Sequence, residues 1–92
     1  MFCGQIGQGA QSHAWWVPAE VFPEDYEPRI WWLTPEHPGS EPPAEAAAFL
    51  AASSMIFAAK DPDFAASMLE HARQLHDFAR THQQAYHETI TD

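Results

Sequence analysis

The residues best suited to chemistry lie near the start of the chain, in His13-Ala14-Trp15-Trp16-Val17-Pro18-Ala19-Glu20. An indole offers a large flat apolar face and one N–H donor. That combination suits the C–H face of a pyranose ring, and a neighbouring imidazole can exchange hydrogen bonds with sugar hydroxyls. A second pair, Trp31-Trp32, follows a stretch carrying Pro18, Pro23 and Pro28 with the acids Glu20, Glu24, Asp25 and Glu27. The same four tryptophans could instead pack an irregular loop onto a core. Residue types alone leave both readings open.

Two other groups fail on spacing. His71, His76, His82 and His87 are separated by steps that rotate each from the last by roughly 120–140° around a helix. Two metal ligands from one helix need steps of three or four, and no cysteine lies near to complete a set. These histidines read as solvated surface residues, so no metal site is expected. Gly4-Gln5-Ile6-Gly7-Gln8-Gly9 lacks the Gly-Lys-Ser/Thr ending of a phosphate loop and the strand and helix that frame a dinucleotide fingerprint. It reads as a flexible connector with a turn at Gln8–Ser12.

Composition narrows the classes further. Ninety-two residues, 46% hydrophobic and 18% charged, describe a small globular domain or part of a larger one. Thirteen acids against four bases give a net charge of −9. That balance argues against nucleic acid, whose affinity comes largely from basic side chains on phosphates. Cys3 stands alone and can form no internal disulfide, nor does it fix a redox compartment. Met1-Phe2-Cys3-Gly4-Gln5 shows no basic segment followed by an apolar core, hence no signal peptide in this chain.

The elements that must position the aromatic loop come next. Pro38-Gly39-Ser40-Glu41-Pro42-Pro43-Ala44-Glu45 reads as a helix start, with Ser40 as N-cap and prolines in the first turn, where N–H groups lack intrahelical partners anyway. Ala46–Ala59 then carries no charge. Phe49, Leu50, Met55, Ile56 and Phe57 fall on no single stripe, and a helix apolar all round is one that other elements surround. It is too short for a membrane span, which needs about 20 apolar residues. Asp61-Pro62-Asp63 caps a second helix, on which Phe64, Met68, Ala72, Leu75 and Ala79 recur at steps of four and three. The expectation is an all-α fold: an αα-hairpin with an irregular N-terminal loop over 1–39, an inner helix over about 40–60 and an outer helix over about 62–83.

In this order the pieces resemble the glycoside hydrolase family 9 endoglucanases. The family carries a stretch like Gly-x-Gly-x-x-Asp-His-x-x-Trp-x-x-Pro-Glu, and Gly7–Glu20 follows it with one residue between Pro18 and Glu20. Its Pro-Gly-Ser-Asp-Leu-Ala-Gly-Glu segment, running into an alanine-rich helix, is matched by Pro38–Glu45 and Ala46–Phe57. An Asp-Pro and an Ala-Arg-x-Leu-x-Asp-Phe-Ala segment follow at Asp61-Pro62 and Ala72–Ala79. The chain departs at Ser12 and Glu41, where the family has Asp, and at Ala44, where it has Gly. Pro42-Pro43 and Trp31-Trp32 are also unusual for it.

The resemblance implies an (α/α)6 barrel, of which this chain holds one helical hairpin and the loop leading to it. It implies hydrolysis of β-1,4-glucan with inversion by two carboxyl groups, one activating water and one protonating the leaving oxygen. The family's water-activating aspartates lie in an upstream Asp-Ala-Gly-Asp motif and its acid near the C-terminus, so no catalytic residue is expected in this segment. Its calcium motif would begin beyond Asp92, so calcium belongs only to a full-length member and no cofactor to this chain. His13 and Trp16 match the family's cleft histidine and tryptophan, and are the expected substrate-binding residues. The implied partners are a β-1,4-glucan oligosaccharide or cellulose and the rest of the catalytic domain, with no nucleic acid and no membrane. The full-length enzyme would be secreted. The alternative is a stand-alone helical sugar-binding or protein-interaction module that self-associates to cover Ala46–Ala59.

Overall fold

A computed structural model describes all of residues 1–92. The chain runs as strand β1 (Phe2–Ile6), a single-turn helix α1 (Gly9–Ser12), a 3-10 turn at Ala19–Val21, strand β2 (Ile30–Leu33), helix α2 (Glu41–Phe57), helix α3 (Pro62–Thr81) and a 3-10 turn at Tyr86–Glu88. The fold is mostly helical, but it is not all-α. β1 and β2 pair antiparallel, with Phe2 opposite Leu33, Cys3 opposite Trp32, Gln5 opposite Trp31 and Ile6 opposite Ile30. The register slips at Gly4, which gives the sheet a bulge. A Cβ there would lie 2.8 Å from Ile90 Cδ1 and 3.0 Å from Leu33 Cγ, so only glycine lets the strand approach the core this closely.

Two parts of the stretch expected to be irregular, Phe2–Ile6 and Ile30–Leu33, are therefore strands of this sheet. Ile30-Trp31-Trp32-Leu33 hides its alternation because all four residues are apolar, while burial alternates: Trp31 and Leu33 point inward, Ile30 and Trp32 outward. Trp31, Leu33 and Ile90 form the core cluster, with Phe2 and Phe78 packed against it. The centre of the packing thus lies between the sheet, the last turns of α3 and the C-terminal segment.

The two long helices form the hairpin. Asp61 caps α3, its Oδ1 accepting from the Phe64 N–H at 3.1 Å, with Pro62 at the first position. The facing surfaces are small: Ala47 and Ser54 of α2 and Ala65, Met68 and Ala72 of α3 are buried. Ser40 behaves otherwise than expected. It makes no side-chain cap and already has helical φ and ψ. Its Oγ instead accepts from the Gln84 N–H at 3.0 Å, and its own N–H donates to the Gln84 carbonyl at 2.8 Å. Glu41 Oε2 accepts from the Tyr86 N–H at 2.9 Å, and Thr89 Oγ1 donates to the Pro38 carbonyl at 2.7 Å. The segment after α3 thus folds back along the start of α2 and occupies the Ser40 hydroxyl, while Pro42 and Pro43 leave no N–H at the second and third helical positions for an N-cap to accept from.

Beyond the hairpin contact, α2 is bare. Phe49, Met55 and Ile56 are 69%, 80% and 77% exposed. The molecule measures 43 × 33 × 16 Å with a radius of gyration of 16.4 Å, against about 12 Å for a compact domain of this length. Its accessible surface is 6821 Å², where a compact monomer of its mass exposes about 5,400 Å². Exposed apolar side chains grouped on one helix, as Phe49, Met55 and Ile56 are, drive association. Residues 1–92 produced alone should sediment as oligomers or melt without cooperativity. A monodisperse monomer with a sharp two-state transition would contradict that expectation.

Candidate functional site

The loop between β1 and β2 carries the candidate residues. β1 ends in a turn at Gly7, whose φ of +88° lies in the left-handed region that glycine alone adopts freely. The Gly7 N–H donates to the Arg29 carbonyl at 2.6 Å, which closes the base of the loop against the residues leading into β2. α1 follows, and His13 terminates it, its N–H donating to the Gly9 carbonyl at 2.9 Å. The His13 side chain is exposed.

From there to Arg29 the chain is held by aromatic contacts more than by regular structure. Trp15 packs edge-on to Phe22 at 6.5 Å between ring centroids, and Phe22 packs edge-on to Tyr26 at 5.2 Å. The Tyr26 hydroxyl lies 3.3 Å from Ser12 Oγ, within hydrogen-bond reach. Ser12 thus ties α1 to the aromatic row. These contacts leave Trp15 48% exposed and Trp16 99% exposed. Trp15, Trp16, Val17 and Pro18 line a shallow surface cavity of about 460 Å³. His13 stands three residues before Trp16 on the same loop but is not part of that cavity wall.

The other tryptophans divide differently. Trp31 is 6% exposed, with the Arg29 guanidinium carbon 3.5 Å from its ring centroid, a cation–π contact. It is a packing residue. Trp32 lies on the opposite face of the sheet, half exposed. Trp16 is covered by nothing within residues 1–92, so its indole is available to something outside this segment.

No three His, Cys, Asp or Glu side chains gather into a metal-binding group. His71 uses Nδ1 within its own helix, 2.8 Å from the Ser67 carbonyl oxygen. No helix is long and apolar enough to cross a membrane. Glu36 has its carboxyl held below the usual carboxylate range by its own backbone amide and then by the Thr34 hydroxyl. A general acid needs a shift in the other direction.

The model of glycosyl hydrolase family 9 matches residues 1–92. The chain belongs to glycosyl hydrolase family 9. Endoglucanase A of Bacillus pumilus is 44% identical over 92 residues, covering 99% of this chain and 14% of that protein. An endoglucanase of Dictyostelium discoideum is 42% identical over 93 residues, covering 99% of this chain and 13% of its own length. Among solved structures, the endoglucanase of the termite Nasutitermes takasagoensis at pH 2.5 superposes with a TM-score of 0.90 at 38% identity, over 98% of this chain and 20% of that one. The catalytic domain of Clostridium thermocellum CelT superposes with a TM-score of 0.82 at 37% identity, over 91% of this chain and 17% of that one. The chain thus spans between an eighth and a fifth of these family 9 relatives.

Two residues of this family 9 segment gave no sign in the sequence of bearing on the loop. Asp92 Oδ2 accepts from the Gly9 N–H and from Gln5 Nε2, both at 2.7 Å. The partners are 83 and 87 residues away along the chain, and no local pattern reaches that far.

Proposed function

We propose that this chain is part of the catalytic domain of an inverting β-1,4-glucan hydrolase, in which it builds one wall of the substrate cleft. The observation that carries the reading is Trp16: an indole 99% exposed, on the loop whose Gly7–Glu20 spacing resembles the family's. An exposed indole face, with an imidazole three residues earlier on the same loop, suits a glucose ring and its hydroxyls. In this reading Trp16 packs on a ring and His13 hydrogen-bonds a hydroxyl near the bond that is cleaved.

The two carboxyl groups of the reaction belong to other parts of the domain. Inversion needs a base and an acid about 6.5–9.5 Å apart, with water between base and sugar. No motif in this chain places such a pair. The uncovered faces of α2 are supporting observations, since Phe49, Met55 and Ile56 fit packing against neighbouring helical hairpins of an (α/α)6 barrel. β-1,4-Glucan is the proposed substrate and the remainder of the domain the proposed partner. Secretion of the whole enzyme follows from the polymeric nature of that substrate.

Reducing-sugar release from carboxymethylcellulose tests the assignment. The product of the complete reading frame should release sugar, and residues 1–92 alone should release none above a denatured control. Hydrolysis by residues 1–92 would overturn the placement of the carboxyl groups. Inactivity of the complete product on every β-1,4-glucan would overturn the substrate.

A further inference from the structure

We propose that Asp92 is a positioning residue for the His13 loop, a role that rests on the sugar-contact reading above. Its Oδ2 accepts from the Gly9 N–H and from Gln5 Nε2, each at 2.7 Å. Gln5 Nε2 also donates to the Gly7 carbonyl at 2.9 Å. Both partners of that nitrogen are acceptors, so the amide has one workable orientation; turned over, its oxygen would face a carboxylate and a carbonyl. The Gly7 N–H in turn donates to the Arg29 carbonyl at 2.6 Å. One carboxylate therefore closes a continuous set of hydrogen bonds through the end of β1, the left-handed turn and the first residue of α1.

His13 depends on that set because α1 is only four residues long. A single helical turn has no stability of its own, since nucleation costs more than one turn of hydrogen bonds returns. Its direction, and that of the imidazole at its end, is set by whatever grips its first and last residues. The last is gripped by the Ser12–Tyr26 contact at 3.3 Å. The first is gripped by a carboxylate at 2.7 Å, and hydrogen bonds to an ionised acceptor are shorter and roughly twice as strong as neutral ones. Asp92 thus governs where α1 begins, and through α1 where His13 points. Asp92 is exposed and is not one of the Trp31, Leu33 and Ile90 side chains of the core cluster, so its substitution removes no core side chain.

The test uses the complete encoded polypeptide with Asp92→Ala, Asp92→Asn, His13→Ala and the double variant His13→Ala/Asp92→Ala. Two quantities are read: amide hydrogen exchange over Gln5–His13, and kcat and KM on a soluble cello-oligosaccharide. Asp92→Ala should speed exchange at Gly9 at least tenfold and raise KM several-fold with a smaller change in kcat. Asp92→Asn, whose amide oxygen can still accept both bonds, should recover most of both. The double variant should be no worse than His13→Ala alone, because Asp92 acts through His13. Additive losses in the double variant, or an unchanged KM in Asp92→Ala, would overturn the positioning role even where His13→Ala is impaired. If His13→Ala itself leaves KM unchanged, the sugar-contact reading has failed and takes the positioning role with it. Gly9 exchange would then still report whether the tether exists.

Discussion

Leu33→Ala should destabilise the fold by about 2–5 kcal/mol, toward the upper end of that range. Leu33 is fully buried and is the centre of the cluster with Trp31 and Ile90, against which Phe2 and Phe78 pack. The cost of such a truncation depends on whether the walls can collapse into the space left behind. Here part of the wall is backbone. A Cβ on Gly4 would lie 3.0 Å from Leu33 Cγ, and a Cβ on Gly39 would lie 3.0 Å from Leu33 Cδ2 and 2.9 Å from the Tyr86 Cα. Both glycines are held by neighbouring hydrogen bonds, Gly39 next to the Ser40–Gln84 pair and Gly4 within the sheet. Neither segment can close the cavity cheaply. Thermal unfolding of the complete polypeptide should begin several degrees lower in Leu33→Ala. A melting curve indistinguishable from the parent would mean that the sheet and the C-terminal segment are not one packed unit.

How legible this was in the sequence varies by element, for physical reasons. The hairpin is readable because Asp61-Pro62 punctuates it and an uncharged run meets an amphipathic one. The sheet is not, because β2 is apolar at every position and its partner lies far along the chain, so neither a period of two nor a hairpin turn announces it. Ser40 looked like an N-cap by type and position. Pro42 and Pro43 leave it no N–H to accept from at the positions a cap serves, and its hydroxyl instead accepts from Gln84, a pairing that no local rule anticipates. Ile90 sits in a stretch without periodicity and is 4% exposed. In the candidate site, His13 and Trp16 are legible as a spaced motif within a resemblance to family 9. The Trp15–Phe22–Tyr26 row is not, since aromatic contacts in an irregular loop follow no period. Asp92 is least legible, joined to the loop only by folding.

Trp16→Ala should lower kcat/KM on cello-oligosaccharides about tenfold, equivalent to about 1.4 kcal/mol of lost transition-state binding. The same substitution should leave stability almost unchanged, because none of residues 1–92 covers the ring and, in the cleft reading, the rest of the domain leaves it open to sugar. His13→Ala removes a neutral hydrogen bond worth roughly 0.5–1.5 kcal/mol, a smaller loss in the same direction. Trp15→Ala should behave in the opposite way. Its ring packs on Phe22, so its removal loosens the aromatic row and lowers the melting temperature more than the turnover. The most direct test is to measure kcat/KM and melting temperature together for Trp16→Ala in the complete polypeptide. A tenfold loss of kcat/KM at an unchanged melting temperature is the expected result. Early melting with full activity per folded molecule would contradict it and make Trp16 a packing residue.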